Sequence, residues 1–207
     1  MALEVPPARR RPWNHNIEYH KVVRAALPPG PLDILDVGCG DGLLSRELAT
    51  LGHRVIGLDS DQASVSRAGS GHGPMGGIVL GDLLSAPFGP ETFDAVVSIA
   101  ALHHMPELEA LGLMAQLLRP GGTLAVVGLA RSRFPRDLPW DAGGAVLTRV
   151  LRLVHGGYRP VTNPTRPPAS TYRQVRDLAV TALPGVRYRR HVMWRYSLVW
   201  RKRSLTP

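Results

Sequence analysis

Three closely spaced glycines are the residues of this chain whose type and spacing most clearly point to chemistry. Gly38, Gly40 and Gly42 lie in the stretch LDILDVGCGDGLLSREL, where an apolar run changes into a helical pattern. Because glycine has no Cβ, the backbone can turn sharply there and a ligand can approach it closely. The N-terminus of the following helix favours electron-rich groups. The stretch therefore predicts a ligand-binding loop between a strand and a helix.

The spacing of the glycines narrows the choice of ligand. A dinucleotide pyrophosphate typically requires G-x-G-x-x-G, whereas this chain has G-x-G-x-G, with Leu43 where the last glycine would stand. The phosphate-binding pattern G-x-x-x-x-G-K-[ST] does not occur in the sequence. A nicotinamide-dependent oxidoreductase is thus a disfavoured alternative, and nucleoside triphosphates are not expected ligands.

The elements that must position this loop alternate between strands and helices. Short apolar runs predict buried strands with helical patterns between them, which is typical of an α/β domain with a largely parallel sheet. The last two strands follow each other closely and should pair antiparallel. We therefore expect a doubly wound, mostly parallel seven-stranded sheet with an antiparallel C-terminal hairpin. The predicted strands span 34–37, 55–58, 78–80, 93–99, 124–129, 186–192 and 195–201, and the predicted helices span 16–27, 43–51, 62–68, 107–118, 145–154 and 172–183.

Length and composition favour a globular protein without a membrane segment. The 207 residues suffice for one well-buried domain, and no apolar run approaches the roughly 18 residues that a membrane helix needs. The initial segment MALEVPPARRRPWNH has no continuous apolar stretch, so it does not indicate a secretory signal and we expect a cytoplasmic protein. Cys39 is the single cysteine, which excludes an internal disulfide, and we expect no metal site.

The positive charge of the chain raises nucleic acid or an anionic membrane as a partner. The net charge is +9 and the pI is near 10.7. However, Lys21 and Lys202 are the only lysines, and arginine together with abundant Ala, Gly and Pro is typical of a GC-rich genome. The short arginine runs also lack the glycine and aromatic interleaving of RNA-binding segments. We therefore expect neither a nucleic acid nor a membrane as partner.

The motif LDVGCGDG resembles motif I of the class I S-adenosylmethionine-dependent methyltransferases. Further landmarks of that family follow in the expected order, and the terminal hairpin matches its antiparallel last strand. The resemblance covers residues 32–128 by motif and the tail by pattern only. It implies S-adenosylmethionine as cofactor and S-adenosylhomocysteine as product. The further landmarks are RVIGLDSD, IVLGDLL, FDAVVSIAALHHMP and LLRPGGTLAVVG.

Two carboxylates that follow strands have roles implied by this resemblance. Asp59 would accept hydrogen bonds from both ribose hydroxyls. Asp82 would accept from the adenine amino group, with Leu83 beside the ring. Each has a structural alternative: Asp59 could begin the next helix, although Ser60 or Asp61 suits that position better, and Asp82 could cap the next turn.

The glycine loop itself would hold the rest of the cofactor. The backbone at Gly38 and Gly40 would meet its methionine and ribose portions. Asp36 would either interact with the cofactor's amino group or brace the loop. The resemblance also implies that the exit of the fourth strand lines the site with apolar and backbone contacts. The remaining predicted cofactor contacts are Cys39, Ser60, Ile99 and Ala100.

Methyl transfer requires a base only where the acceptor carries a proton, and histidine suits that role near neutral pH. His103 and His104 follow the fourth strand at the edge where α/β folds bind ligands, although packing or loop bracing is an alternative. The resemblance also implies that the N-terminal segment PWNHNIEYHK folds over the cofactor as a lid. In that lid Tyr19 would contact the cofactor's sulfonium and His15 would be a further candidate base. The alternative is that Trp13 and Tyr19 pack against the sheet.

The resemblance implies a small-molecule methyltransferase, since no RNA-binding module is appended. Methylation of RNA or protein is the alternative, but SIAALHHMP stands where amino-methylating enzymes often carry [DNS]-P-P-[YFW]. A non-catalytic S-adenosylmethionine-binding protein is the alternative of another class. We expect a single domain over 1–207, acting as a monomer or homodimer. Its parts are an N-terminal helix or lid (1–30), a cofactor-binding core (32–130), an acceptor-side insertion (131–170) and a final helix and hairpin (171–203).

Overall fold

One seven-stranded sheet forms the centre of the fold. A computed structural model describes residues 13–69, 76–160 and 166–204. The strand order is β3-β2-β1-β4-β5-β7-β6, in which β1 to β5 are parallel and β7 runs antiparallel to both β5 and β6. This confirms the predicted α/β sheet and its terminal hairpin. The strands are β1 (Asp33–Val37), β2 (Arg54–Asp59), β3 (Gly77–Leu80), β4 (Phe93–Ile99), β5 (Leu118–Leu129), β6 (Arg187–His191) and β7 (Arg195–Arg201).

Helices cover both faces of the sheet. On one face, α5 and α7 pack through Leu111, Met114 and Val175. On the other face, α2 and α3 pack through Val23 and Leu48, and α6 adds partly buried leucines. The helices are α1 (His15–Glu18), α2 (His20–Ala26), α3 (Leu43–Thr50), α4 (Gln62–Gly69), α5 (Glu107–Leu117), α6 (Leu138–His155) and α7 (Tyr172–Ala182).

The order of the strands reverses next to β1. The chain proceeds from β1 outward to β2 and β3, and then returns to β4 on the other side of β1. In open α/β sheets, the crevice outside the carboxyl ends of the strands at such a reversal is the usual place for a ligand. The loops after β1, β2, β3 and β4 therefore meet at one edge.

Two helices differ from the sequence prediction. The predicted helix 16–27 is divided at Tyr19, whose φ of −94° and ψ of 0° separate α1 from α2. Helix α6 begins at Leu138, seven residues before the predicted 145. The first half of α6 was not predicted because the pair Gly143-Gly144 has a low helix propensity. Gly144 is nevertheless needed there, since a Cβ would lie 3.0 Å from the backbone nitrogen of Met193.

Strand β5 also begins earlier than predicted. Its first residue is Leu118, which pairs with Phe93, and the register then shifts before Thr123 pairs with Ala95. The sequence RPGG, which predicts a turn, is accommodated inside the strand by this irregularity. Within the described residues, no helix is long and apolar enough to cross a membrane. Nor do the described residues contain a cluster of three or more metal-binding side chains.

Candidate functional site

The glycine loop between β1 and α3 contains three residues in the left-handed conformation. Gly38, Gly40 and Gly42 have φ angles of 69°, 53° and 68°. Side chains rarely tolerate these angles, so glycine is required. The backbone nitrogens of Gly38 and Cys39 both donate to the carbonyl oxygen of Leu58, at 2.7 and 3.1 Å. The loop is thereby fixed to the end of β2.

Asp59 ends β2, and two backbone amides hold its carboxylate. Oδ2 accepts from the nitrogen of Gly40 at 2.8 Å, and Oδ1 accepts from the nitrogen of Asp61 at 2.9 Å. Asp61 itself caps α4, because its carboxylate accepts from the nitrogen and the hydroxyl of Ser64. Each oxygen of Asp59 retains a lone pair for another donor. A pair of ribose hydroxyls fits this arrangement.

A cavity of about 650 Å³ opens at the carboxyl edge of the sheet, and a smaller one of about 80 Å³ lies beside the glycine loop. The larger volume is within the usual range of ligand pockets. Gly38, Ile99 and Asn16 of α1 line both cavities, so the two are adjacent. Of the predicted site residues, the large cavity also contains Asp59, Ser60, Asp82, Leu83, Ala100, His103 and His104, and the small cavity contains Asp36, Cys39 and Gly40.

Asp82 and Leu83 form the far wall of the large cavity. Oδ1 of Asp82 accepts from the nitrogen of Leu84 at 2.9 Å and caps the short 3-10 helix Leu83–Ser85. The capping alternative is therefore present, but it engages one oxygen of a side chain that also lines the cavity. Leu83 is buried and offers an apolar surface beside this carboxylate. The pair fits an adenine ring with its amino group.

Ala100 follows β4 in a strained conformation. Its φ of 57° lies in the left-handed region, and its nitrogen donates to the carbonyl oxygen of Val127 at 2.8 Å. Such outliers are often found at ligand sites, where the surrounding structure enforces them. Here the strain turns the chain at the cavity wall, directly before Ala101, which packs against Gly38.

Asp36 lies beneath the glycine loop and is buried. Its Oδ2 accepts from the hydroxyl of Ser45 at 2.6 Å, so the carboxylate braces the start of α3. Burial raises its pKa to about 7, and the charge of Asp59 adds to this effect while Ser45 opposes it. The side chain also lines the small cavity below Asn14 and Asn16 of the N-terminal helix. The amino group of the cofactor would find the carboxylate of Asp36 as its acceptor there.

Cofactor binding should therefore depend on pH through Asp36. An ammonium group beside this carboxylate favours its ionised form, so binding below pH 7 releases a proton. We expect the affinity for S-adenosylhomocysteine to rise up to about tenfold per pH unit below pH 7 and to level off above it. Calorimetric titration at several pH values measures this slope. Asp36→Asn should abolish the slope, and an unchanged slope in that variant would contradict the assignment.

Cys39 is a packing residue as well as a wall of the small cavity. A Cβ on Gly57 of β2 would lie 2.8 Å from its Sγ, so the thiol fills the space that this glycine leaves. Burial raises the pKa of the thiol. The side chain is thus a neutral, small apolar group at physiological pH, and only its backbone is suited to a ligand.

His103 and His104 lie together on the wall of the large cavity. Their ring centroids are 4.0 Å apart in the short 3-10 helix Leu102–His104. The pKa of His103 is lowered to about 4, mainly by burial and then by His104 and Arg195. Its Nδ1 has no hydrogen-bond partner among the described residues. This Nδ1 is buried, but the residue lines the cavity, and a neutral imidazole there can form a hydrogen bond with an acceptor molecule.

The structure places His15 and Tyr19 outside the described linings of both cavities. Nε2 of His15 lies 3.1 Å from the hydroxyl of Thr148, and its ring contacts those of Trp13 and Tyr158. The hydroxyl of Tyr19 donates to the carbonyl oxygen of Val192. Trp13 and Tyr19 are buried in the core, as the packing alternative predicts. The catalytic role of His15 and the cofactor contact of Tyr19 stay predictions.

Three polar residues and one isoleucine of the same segment line the small cavity. Asn14, Asn16, Ile17 and His20 line it, and Oδ1 of Asn14 also caps α1 by accepting from the nitrogens of Asn16 and Ile17. The first two helices therefore face the small cavity with these residues and not with the rings of Trp13 or Tyr19. The part of the predicted lid at 1–12 lies outside the described residues.

Sequence reasoning missed several residues of the acceptor side. Arg195 of β7 lines the large cavity together with Met105, Leu129 and the segment 166–168. Alternation along β7 was the available signal, because Arg195 and Ser197 share one face and both are buried. Phe134, in the predicted insertion, is 86% exposed. Residues 161–165 of the insertion lie outside the described part of the chain.

Comparisons with known proteins identify the family of the chain. A family model described as a methyltransferase domain matches residues 35–126. An uncharacterized methyltransferase of Mycobacterium bovis is 35% identical over 194 residues, which cover 92% of this chain and 98% of the relative. A ubiquinone biosynthesis O-methyltransferase of Mesorhizobium japonicum is 32% identical over 117 residues, which cover 53% of this chain and 45% of the relative.

Solved structures show the same fold. A SAM-dependent methyltransferase from Methanosarcina mazei superimposes with a TM-score of 0.60 at 18% identity, and the match covers 88% of this chain and 97% of that one. This likeness concerns the fold alone, whereas the mycobacterial relative matches in sequence over almost its whole length. From the family model and that relative together, the chain belongs to the class I S-adenosylmethionine-dependent methyltransferases.

Proposed function

We propose that this methyltransferase acts on a small-molecule acceptor in the cytoplasm. The main support is a single cavity of about 650 Å³. The carboxylates Asp59 and Asp82 line one part of it, and His103, Met105 and Leu129 line another. A cavity of this size is suited to a cofactor with a small partner. The similarity to a ubiquinone biosynthesis O-methyltransferase supports the same class of acceptor.

The distribution of positive charge supports this choice over RNA. Several arginines on the described surface form ion pairs instead of a free basic patch. Arg119 contacts Asp33 and Asp94 at 3.0 and 2.9 Å. Further pairs are Arg190 with Asp137, Arg24 with Glu47 and Arg54 with Asp33. These four guanidinium groups are therefore neutralised locally by carboxylates and are not free to bind the phosphates of RNA.

The residues of the chain contribute chiefly position and exclusion of water. When bound, S-adenosylmethionine supplies a methyl group on a positively charged sulfur. A nucleophile can attack the methyl carbon, and the thioether S-adenosylhomocysteine then leaves. Asp59 and the glycine loop would fix one end, while Ile99 lines both cavities and Ala100 lines the large one. Orienting two reactants in this way accounts for much of the rate of such a displacement. His103, being neutral, would hydrogen-bond the acceptor.

Labelling from S-adenosylmethionine with an isotopic methyl group tests the acceptor class. The protein is incubated separately with a small-molecule extract, total RNA and total protein, and Asp59→Ala serves as the inactive control. We expect label in the small-molecule fraction only, and its loss in the variant. Label in RNA or protein alone would contradict the proposal. Binding of S-adenosylhomocysteine without labelling of any fraction would indicate a non-catalytic binding protein.

A further inference from the structure

Arg195 is a buried cation whose hydrogen-bonding capacity is only partly used. The residue is 6% exposed and lines the large cavity. Nη2 donates to Oδ1 of Asn16 at 2.8 Å, and Nη1 donates to the carbonyl oxygens of Met193 at 3.3 Å and Trp194 at 3.5 Å. Nε has no partner among the described residues. A buried polar group without a partner is costly and calls for an explanation.

No carboxylate balances this charge in the described part of the chain. The groups that shift the pKa of Arg195 electrostatically are the phenols of Tyr19, Tyr172 and Tyr158, and Arg195 in turn lowers the pKa values of His15 and His103. Burial raises the pKa of both Tyr19 and Tyr172, so these two are neutral at pH 7. Burial lowers the pKa of Arg195 only to about 10, so the guanidinium keeps its charge. By contrast, Arg190 on the neighbouring strand contacts Asp137 at 2.6 Å.

The position of Arg195 separates it from the adenosine end of the site. It pairs with Leu129 at the end of β5, three strands away from β1 in the sheet. With about 4.8 Å between neighbouring strands, this is roughly 14 Å from β1. Asp59 and Asp82 follow β2 and β3, on the opposite side of β1. Arg195 therefore lies at the end of the cavity that is left for the acceptor.

We propose that Arg195 binds a carboxylate carried by the methyl acceptor. The inference rests on the proposed small-molecule function and adds a substrate class to it, namely organic acids. A guanidinium presents its donors in a planar fork that matches a carboxylate, and the pair is strengthened where water is excluded. Asn16 holds Nη2 in place, and Met105 with Leu129 offers an apolar surface to the body of such an acid.

Binding of simple acids to the protein saturated with S-adenosylhomocysteine tests this inference. Benzoate and hexanoate are each compared with the corresponding amide by NMR titration. We expect the wild type to bind the acids at least tenfold more tightly than the amides. Arg195→Gln should remove this preference while changing the affinity for S-adenosylhomocysteine less than twofold. Arg201→Gln, at the exposed end of the same strand, is the matched control and should keep the preference.

Three results would overturn the inference. These are equal binding of acids and amides by the wild type, a preference that persists in Arg195→Gln, and a tenfold loss of S-adenosylhomocysteine affinity in that variant. The last result would assign Arg195 to the carboxylate of the cofactor. If Arg195→Gln does not fold, Arg195→Lys keeps the charge without the fork. It should then weaken the preference at least threefold, and full retention would contradict fork binding. Failure to bind S-adenosylhomocysteine at all would instead refute the proposed function.

Discussion

Replacing Asp59 by alanine should weaken binding of S-adenosylhomocysteine at least about 100-fold. Two hydrogen bonds from ribose hydroxyls to a carboxylate are worth about 1.5 to 3 kcal/mol each, and about 1.4 kcal/mol corresponds to a factor of ten. The variant also loses the contact between the carboxylate and the nitrogen of Gly40, which shapes the glycine loop. Calorimetric titration measures the change in affinity.

Asp61→Ala is the matched control for this prediction. Its carboxylate lies two residues away and is engaged by Ser64 at the start of α4. We expect a loss of about 1 kcal/mol in the free energy of unfolding, as is usual for a helix cap, and a change of less than about fivefold in affinity. An Asp59→Ala protein that binds within fivefold of the wild type would contradict the assigned role.

Gly38→Ala should be the most damaging substitution in the glycine loop. A Cβ there would lie 2.2 Å from the Cβ of Ala101, and the φ of 69° is unfavourable for alanine. The conformational cost alone is about 1 to 2 kcal/mol, and relief of the clash requires the loop or the turn after β4 to move. We expect the free energy of unfolding to fall by at least about 3 kcal/mol, and binding of S-adenosylhomocysteine to be lost. Urea denaturation measures the first effect.

Gly52→Ala separates the clash from the conformational cost. Gly52 also has a positive φ, of 93°, but a Cβ there would meet nothing within 4 Å. This control should lose about 1 kcal/mol of stability and keep its affinity for S-adenosylhomocysteine. Equal losses in the two variants would show that the contact with Ala101 does not constrain the loop.

Much of the fold could be predicted from apolar runs, from turn glycines and from the short connection between the last two strands. The apolar run before Gly38 predicts a buried strand, and the glycines predict the turn, because their left-handed angles exclude other residues. The terminal hairpin was predictable since its two strands are too close for a crossover. The first half of α6 was missed, because its glycine pair has low helix propensity and is required by packing against Met193 instead.

The sequence predicted the part of the candidate site where the end of a strand positions a carboxylate. It did not predict the parts that depend on how side chains pack. Asp59 follows a strand and faces the glycine loop whatever the surrounding side chains are. Trp13 and Tyr19, which the sequence offered as parts of a possible lid, bury their rings in the core instead. Removing their large apolar surface from water stabilises the fold. Arg195 was not predicted as a site residue, because most arginines lie at the surface and only the folded hairpin brings this one to the cavity.

A crystal structure of the complex with S-adenosylhomocysteine would show whether Asp59, Asp82 and Asp36 hold the cofactor. We expect both ribose hydroxyls on the carboxylate of Asp59, the adenine beside Asp82 and Leu83, and the amino group near Asp36 beneath α1. The acceptor end of the cavity, next to Arg195, should stay free of the cofactor. A cofactor bound elsewhere, or one whose ribose does not contact Asp59, would contradict the account.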